Sequence, residues 1–226
     1  MRIQRLIAGV VSGALLGLVP VALAAAPAHA ADVTTVTTID ASSKKIVFKS
    51  GSKPYIVASV KTSAGTSVYD GDVALQAKTA GSSWKTIRTA DASSYVSFSD
   101  VVPKKNTDYR AVYQGGSDSY SGDTYVASQS GSMKIKVQRK FTFSGNDRTF
   151  KVKGRVTPKY GKKKIVIKVS KRQKRGFKKF RTIKTNKKGK YATKLPKRKG
   201  VWYYRFIVKG DKNYAGLKYT VTARVY

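Results

Sequence analysis

Residues 168–191 read KVSKRQKRGFKKFRTIKTNKKGKY and hold twelve lysines and arginines without one acid. Two structures compete for such a stretch, a disordered basic arm and the hairpins of a β domain coated in cations. A disordered arm lacks apolar residues in register. Here Val169, Phe177, Phe180, Ile183, Tyr191 and, just beyond, Leu195 continue a strand pattern. The stretch is therefore read as structural, with Lys171 to Lys179 as one loop and Asn186 to Lys190 as the next turn.

Working outward, its blocks occur twice in the chain. WKTIRT at 84–89 matches FRTIKT at 180–185, and DYRAVYQGGSDSY at 108–120 matches YYRFIVKGDKNY at 203–214 with a one-residue slip in the loop. Upstream, GDVALQAK at 71–78 pairs with KKIVIKVS at 163–170. The same order at similar spacing predicts two related units of about ninety to a hundred residues each. Each unit reads as strands. Leu217, Tyr219, Val221, Ala223 and Val225 alternate with Lys218, Thr220, Thr222 and Arg224, the period of two that belongs to a half-buried antiparallel strand. Ile165, Ile167 and Val169 alternate likewise, as do Tyr204, Phe206 and Val208. Turn-forming mixtures separate these runs at 158–161, 186–189, 196–200 and 210–213, and no window has helical periodicity with caps. Strands of about eight residues with turn signals every 8–12 or so predict an all-β chain of two tandem immunoglobulin-like antiparallel sandwiches.

The blocks KGRVTP, KKIVIKVSK, FRTIKTNKKGKYATKLP and WYYRFIVKGDKNYAG resemble the bacterial Ig-like repeats of secreted and cell-surface proteins. The first unit departs from that pattern with Gln114-Gly-Gly116 in place of Gly-Asp, and with Ser94-Tyr95 lacking the preceding glycine. The resemblance spans nearly the whole chain after residue 30. It implies adhesion, spacing or ligand binding, and it carries no catalytic residue.

The opening MRIQRLIAGVVSGALLGLVPVALAAAPAHA combines Arg2 and Arg5, an apolar run from Leu6 to Leu23, and Ala28-His29-Ala30. That is the make-up of a secretory signal peptide over residues 1–30, cut before Ala31. The expected product is exported, with no further membrane-spanning stretch and no cysteine to accept a lipid. Its first unit would span 31–137 and its second 138–226, joined by the short linker Gln138-Arg-Lys140. With His29 removed, this product has no His, no Cys and no Glu, and its acids are eleven aspartates. Disulfides are excluded, zinc loses its usual ligands, and triads built on His cannot form. No cofactor is expected and no enzymatic activity. Asp70-Gly-Asp72 and Asp118-Ser-Tyr-Ser-Gly-Asp123 read as turn caps rather than calcium sites; the second lacks the spacing of an oxygen-ligand loop and its closing Glu.

Charge separates the two units. Residues 31–137 carry 13 bases and 9 acids, a net of +4, whereas residues 138–226 carry 31 bases and 2 acids, a net of +29. In an antiparallel meander alternate loops share an end, which predicts that Lys171, Arg172, Lys174, Arg175, Lys178 and Lys179 gather near Lys197, Arg198 and Lys199, with Arg181 adjoining. No helix or ribbon is offered to a DNA groove, so sequence-specific reading is not expected. Non-specific attraction to an anionic polymer fits better: wall polymer, acidic glycan, anionic lipid head groups or extracellular nucleic acid. Phe177, beside Arg175 and Lys178, is the stacking candidate if it sits on a loop. Trp84, Tyr109, Tyr113, Trp202, Tyr204 and Tyr214 read as core residues or tyrosine corners, with sugar stacking as the alternative. The rival reading of the whole is a structural or adhesive module that binds a protein partner through its first unit, the charge being incidental.

Overall fold

The computed structural model describes residues 30–226; the predicted signal sequence lies outside the described residues apart from Ala30. All regular structure there is β. Twelve strands precede the linker: β1 (Asp32–Val33), β2 (Thr35–Ala41), β3 (Lys45–Val47), β4 (Ile56–Thr62), β5 (Asp72–Thr79), β6 (Lys85–Asp91), β7 (Val96–Phe98), β8 (Thr107–Tyr113), β9 (Gly116–Ser117), β10 (Thr124–Tyr125), β11 (Ser128–Gln129) and β12 (Met133–Gln138). Seven follow: β13 (Lys140–Gly145), β14 (Lys151–Thr157), β15 (Lys164–Ser170), β16 (Lys178–Lys184), β17 (Lys190–Lys194), β18 (Gly200–Val208) and β19 (Leu217–Val225).

No sheet mixes the two sets. In the second set, β13-β14-β17 forms one sheet and β16-β15-β18-β19 the other. The first set repeats this plan as β2-β4-β7 against β6-β5-β8-β12, with β3 added in parallel at the β12 edge and β11 pairing β8. Both are immunoglobulin-like sandwiches. Their inward faces come from strict alternation: Tyr109, Ala111 and Tyr113 on β8 are buried, as are Tyr204, Phe206 and Val208 on β18. One core gathers Ile56, Val60, Val73, Leu75, Tyr113 and Ile135, and a second gathers Val156, Ile165, Ile167, Tyr191, Tyr204 and Phe206. Burying such side chains is the main stabilising contribution, about 1.5–3 kcal/mol for each large one.

The β19 alternation holds, yet its inward residues are only half-buried and Tyr219 is 41 % exposed. The strand is a sheet edge with β18 as its one neighbour. Phe141 and Phe143 of β13 cover Tyr219 from the facing sheet at 5.1 and 5.7 Å.

One match between the repeats shifts in the structure. Leu75 and Ile167 occupy equivalent places, lying opposite Ala111 and Phe206. Their partners across the other edge are Arg88 and Arg181, each preceded by a β-bulge that skips Ile87 and Phe180. WKTIRT and FRTIKT are therefore three residues out of step, and Trp84 corresponds to Phe177. The cause is that β6 and β16 are edge strands with few buried side chains, which specify register weakly.

The joint is shorter than expected, since only Arg139 separates β12 from β13. Ile46, Val137 and Tyr214 form a small third core there, with Phe48 set edge-on to Tyr214. Backbone bonds cross the joint from Asn106 N to Asn213 O at 2.8 Å and from Ala215 N to Val137 O at 2.8 Å. Among the described residues no helix is long and apolar enough to cross a membrane.

Candidate functional site

The loop 171–177 leaves β15, and the loop 195–199 leaves β17. Both strands run away from the joint, so both loops sit at its far end. Trp202, near the start of β18, connects them. Lys171 Nζ lies 5.3 Å from its ring and the Arg198 guanidinium 4.7 Å, while the indole N–H donates to Lys199 O at 3.1 Å. Lys197 lies over the Phe150 ring at 5.7 Å. The predicted meeting of the two loops is thus made through an aromatic residue that the sequence reading placed in the core.

The longer loop is braced from within. Ser170 Oγ donates to Arg175 O at 2.7 Å and accepts from Arg172 N at 2.9 Å, and Arg205 Nη2 donates to Gln173 O at 3.1 Å. Lys174 is exposed at its tip. Lys178, Lys179 and Arg181 are not in this loop: they lie exposed along β16. Arg181 stacks on Phe180 at 5.1 Å and donates to Thr193 Oγ1 at 3.3 Å.

Phe177 is half-buried and ends the loop. One face of its ring is covered by the Arg205 guanidinium at 3.6 Å. Its counterpart Trp84 lies under Arg110 at 4.6 Å and Lys78 at 4.8 Å. In both sandwiches the Arg after the β8 or β18 tyrosine is thus stacked, across the intervening β5 or β15, on the aromatic that precedes edge strand β6 or β16. Phe177 is a platform for a cation of its own chain. The signal was present in the sequence as the two Tyr-Arg pairs, Tyr109-Arg110 and Tyr204-Arg205.

The remaining aromatics sort by burial. Tyr109, Tyr113, Tyr204 and Tyr214 are buried. Tyr204 donates to Pro196 O, eight residues upstream, at 3.2 Å, as a tyrosine corner does. Tyr113 donates instead to Asp70 O at 2.7 Å. Burial pushes the Tyr109 and Tyr113 hydroxyls up to about 12, so both are neutral near pH 7. Asp118 caps its turn by accepting from the Tyr120 and Ser121 amides.

Charge around the cluster is uncompensated. Among the described residues the ion pairs are Lys44–Asp40, Arg88–Asp100, Lys134–Asp108, Arg139–Asp211 and Lys163–Asp211. None involves Lys171, Arg172, Lys174, Arg175, Lys178, Lys179, Arg181, Lys197, Arg198 or Lys199. A surface of this kind attracts anions through a summed field of several kT.

No family model and no curated protein matches the chain. Solved structures similar to it include the ligand-binding domain of human OSCAR, at 10 % identity and TM-score 0.33, covering 85 % of this chain and 99 % of that one. The chicken CNTN1 FN1–FN3 domains are similar at 12 % identity and TM-score 0.28, covering 86 % of this chain and 66 % of that one.

Proposed function

We propose that the chain is a secreted, non-enzymatic Ig-like protein, of the kind its bacterial Ig-like resemblance suggests, whose second sandwich holds anionic polymers or the cell envelope by charge. The observation that carries this reading is the far-end cluster: two basic loops joined through Trp202, with no acid and no ion pair among their cations. Its ligand is wall polymer, acidic glycan or extracellular nucleic acid. The near-neutral first sandwich acts as a spacer.

The test is retention of the full chain on heparin-type glycan, purified wall polymer and duplex DNA across a salt series. Log affinity is expected to fall linearly with log salt, as counterion release requires. Replacing Lys171, Arg172, Lys174 and Arg175 with Gln together is expected to weaken retention at least tenfold at about 0.15 M salt with the fold intact. Unchanged retention by a folded variant rules out this loop.

A second reading has its own observation. At the opposite tip the loops 63–71, 92–95 and 114–123 expose Tyr69, Tyr95 and Tyr120 at 64, 57 and 100 %, and contain no Lys or Arg. Ala92 N bonds to Gly71 O, and Gly71, at φ +83°, packs against the Gly115 carbonyl where no side chain fits. A rigid tyrosine-bearing surface suits a protein partner. Binding that persists through the salt series, and that is lost when the three tyrosines are changed to Ser, supports this reading over the first.

A further inference from the structure

We propose that the outward face of the β13-β14-β17 sheet is a groove for one extended strand of a linear polyanion. This rests on the polyanion reading above and assigns it a place that the loop residues do not include.

Strand pairing builds the groove. Lys151, Lys153 and Arg155 alternate along the solvent side of β14. Across to β17 they face Lys194, Ala192 and Lys190, and across to β13 Lys153 and Arg155 face Ser144 and Thr142. Lys151, Lys153 and Arg155 therefore form a cationic row along the central strand, with Ser144 and Thr142 on one edge strand and Lys190, Ala192 and Lys194 on the other. Two hollows of about 720 and 750 Å³ lie along this face and adjoin at Ser144, Lys153 and Ala192. At its end Lys194 borders a further hollow with Arg181 and Lys197, which leads toward the far-end loops.

This arrangement works against the sheet. Like charges directly opposite one another on paired strands are destabilising, and here Lys151 faces Lys194 and Arg155 faces Lys190. None of these five cations is in an ion pair with the protein. The sister sandwich is an internal control. On the equivalent face of β2-β4-β7 the outward residues include Thr38, Asp40, Val57, Ser59, Lys61 and Ser97, one acid and one base among neutral side chains. The fold does not require the cations; a ligand that neutralises them accounts for their presence.

Dimensions select the occupant. Three strands spaced about 4.8 Å apart give a face roughly 10 Å wide, and outward side chains recur about every 6.7 Å along each strand. One polymer chain with a charge on each monomer lies along such a face. A duplex, whose major groove alone is about 12 Å wide, does not enter it.

Two full-length variants with equal charge loss test the proposal. One replaces Lys151, Lys153, Arg155, Lys190 and Lys194 with Gln, and the other replaces Lys162, Lys164, Lys212, Lys218 and Arg224. Binding is measured at about 0.15 M salt to polyphosphate of defined length, a heparin oligosaccharide and a 20-base-pair DNA duplex. The groove variant is expected to lose at least tenfold more affinity than the control for one or both single-chain polymers, and no more than the control for the duplex. Which single-chain polymer responds identifies phosphate or sulfated sugar as the source of the anion. Relief of cross-strand repulsion is expected to leave its Tm at or above that of the wild type. Ala192→Asp, which places one carboxylate opposite Lys153, serves as an independent variant and is expected to weaken single-chain binding at least fivefold. Equal losses in both five-residue variants overturn the groove and leave delocalised attraction standing. If the unaltered chain binds none of the three probes, the polyanion reading itself fails.

Discussion

The Arg139 guanidinium, with its side chain 1 % exposed, lies between the Tyr214 and Tyr160 rings at 4.4 and 5.0 Å. Its Nε donates to Pro158 O at 2.9 Å and its Nη2 to Asp211 Oδ2 at 2.5 Å, while Nη1 is buried without a partner. A cation so desolvated depends on its carboxylate. Burial pushes the Asp211 carboxyl up, but hydrogen bonds from Arg139, the Asn213 amide and Lys163 outweigh it and hold it at about 2. An unfolded aspartate titrates near pH ~3.9. Because the folded value is the lower one, the associated stability is present above about pH 4 and is lost as pH falls toward 2. Asp211→Asn is expected to cost about 2 kcal/mol at pH 7, less than a fully buried pair because the carboxylate is a third exposed and shared with Lys163. Thermal denaturation of both proteins from pH 7 to 2 checks this: the gap in Tm closes at the acid end. In the sequence Asp211 read only as a turn residue. It does cap the Asn213 and Tyr214 amides, but its second role depends on Arg139, 72 residues away.

At the scale of the element, β14 is held by a residue with no side chain. A Cβ on Gly154 would collide with Thr142 O and lie 2.6 Å from the Tyr191 hydroxyl, which itself donates to Thr142 O at 2.9 Å. Gly154→Ala must push β13 away or displace the Tyr191 ring. Overpacking of this kind costs about 1–3 kcal/mol. Urea denaturation is expected to show that loss, with the midpoint lowered at constant slope. The strands themselves were legible, because inward alternation on β15 and β18 is written into each strand. The pairing of β16 was not. Its side chains are mostly exposed, so the match of FRTIKT to WKTIRT followed residue identity, whereas the bulges at Phe180 and Ile87 set the true register. The same slip hid the equivalence of Phe177 with Trp84, and with it the stack beneath Arg205.

Across the whole molecule, the two sandwiches are tied by the Asn106–Asn213 and Val137–Ala215 backbone bonds, by Gln138 Nε2 donating to Gly216 O at 2.7 Å, and by the core around Tyr214. They are expected to tumble as one body, with NMR relaxation fitting a single diffusion tensor. Tyr214→Ala combined with Asn106→Ala is expected to release them, so that each half fits its own tensor. Such a joint, unaltered, is expected to keep the far-end cations a fixed distance from the tyrosine-bearing tip. Strands of seven or eight residues make each of the two intervening sandwiches roughly 25 Å long, well beyond a Debye length of about 8 Å at physiological salt. The electrostatic fields of the two ends are therefore screened from one another.

The sequence by itself determined the β class, the two copies and the contrast of +29 against +4, since each is a sum or a period that local residues carry. It also placed the two basic loops at one end, because a meander with counted turns fixes which loops are neighbours. Only the tertiary structure decided that Trp202 joins those loops, that Arg139 is buried at the joint, and that five cations of β14 and β17 share the outward β13-β14-β17 face. These depend on register and on contacts between residues far apart in the chain. An exposed lysine has no preferred burial to reveal its partner strand, so its neighbours are chosen by the packing of the apolar residues on the other side of the sheet.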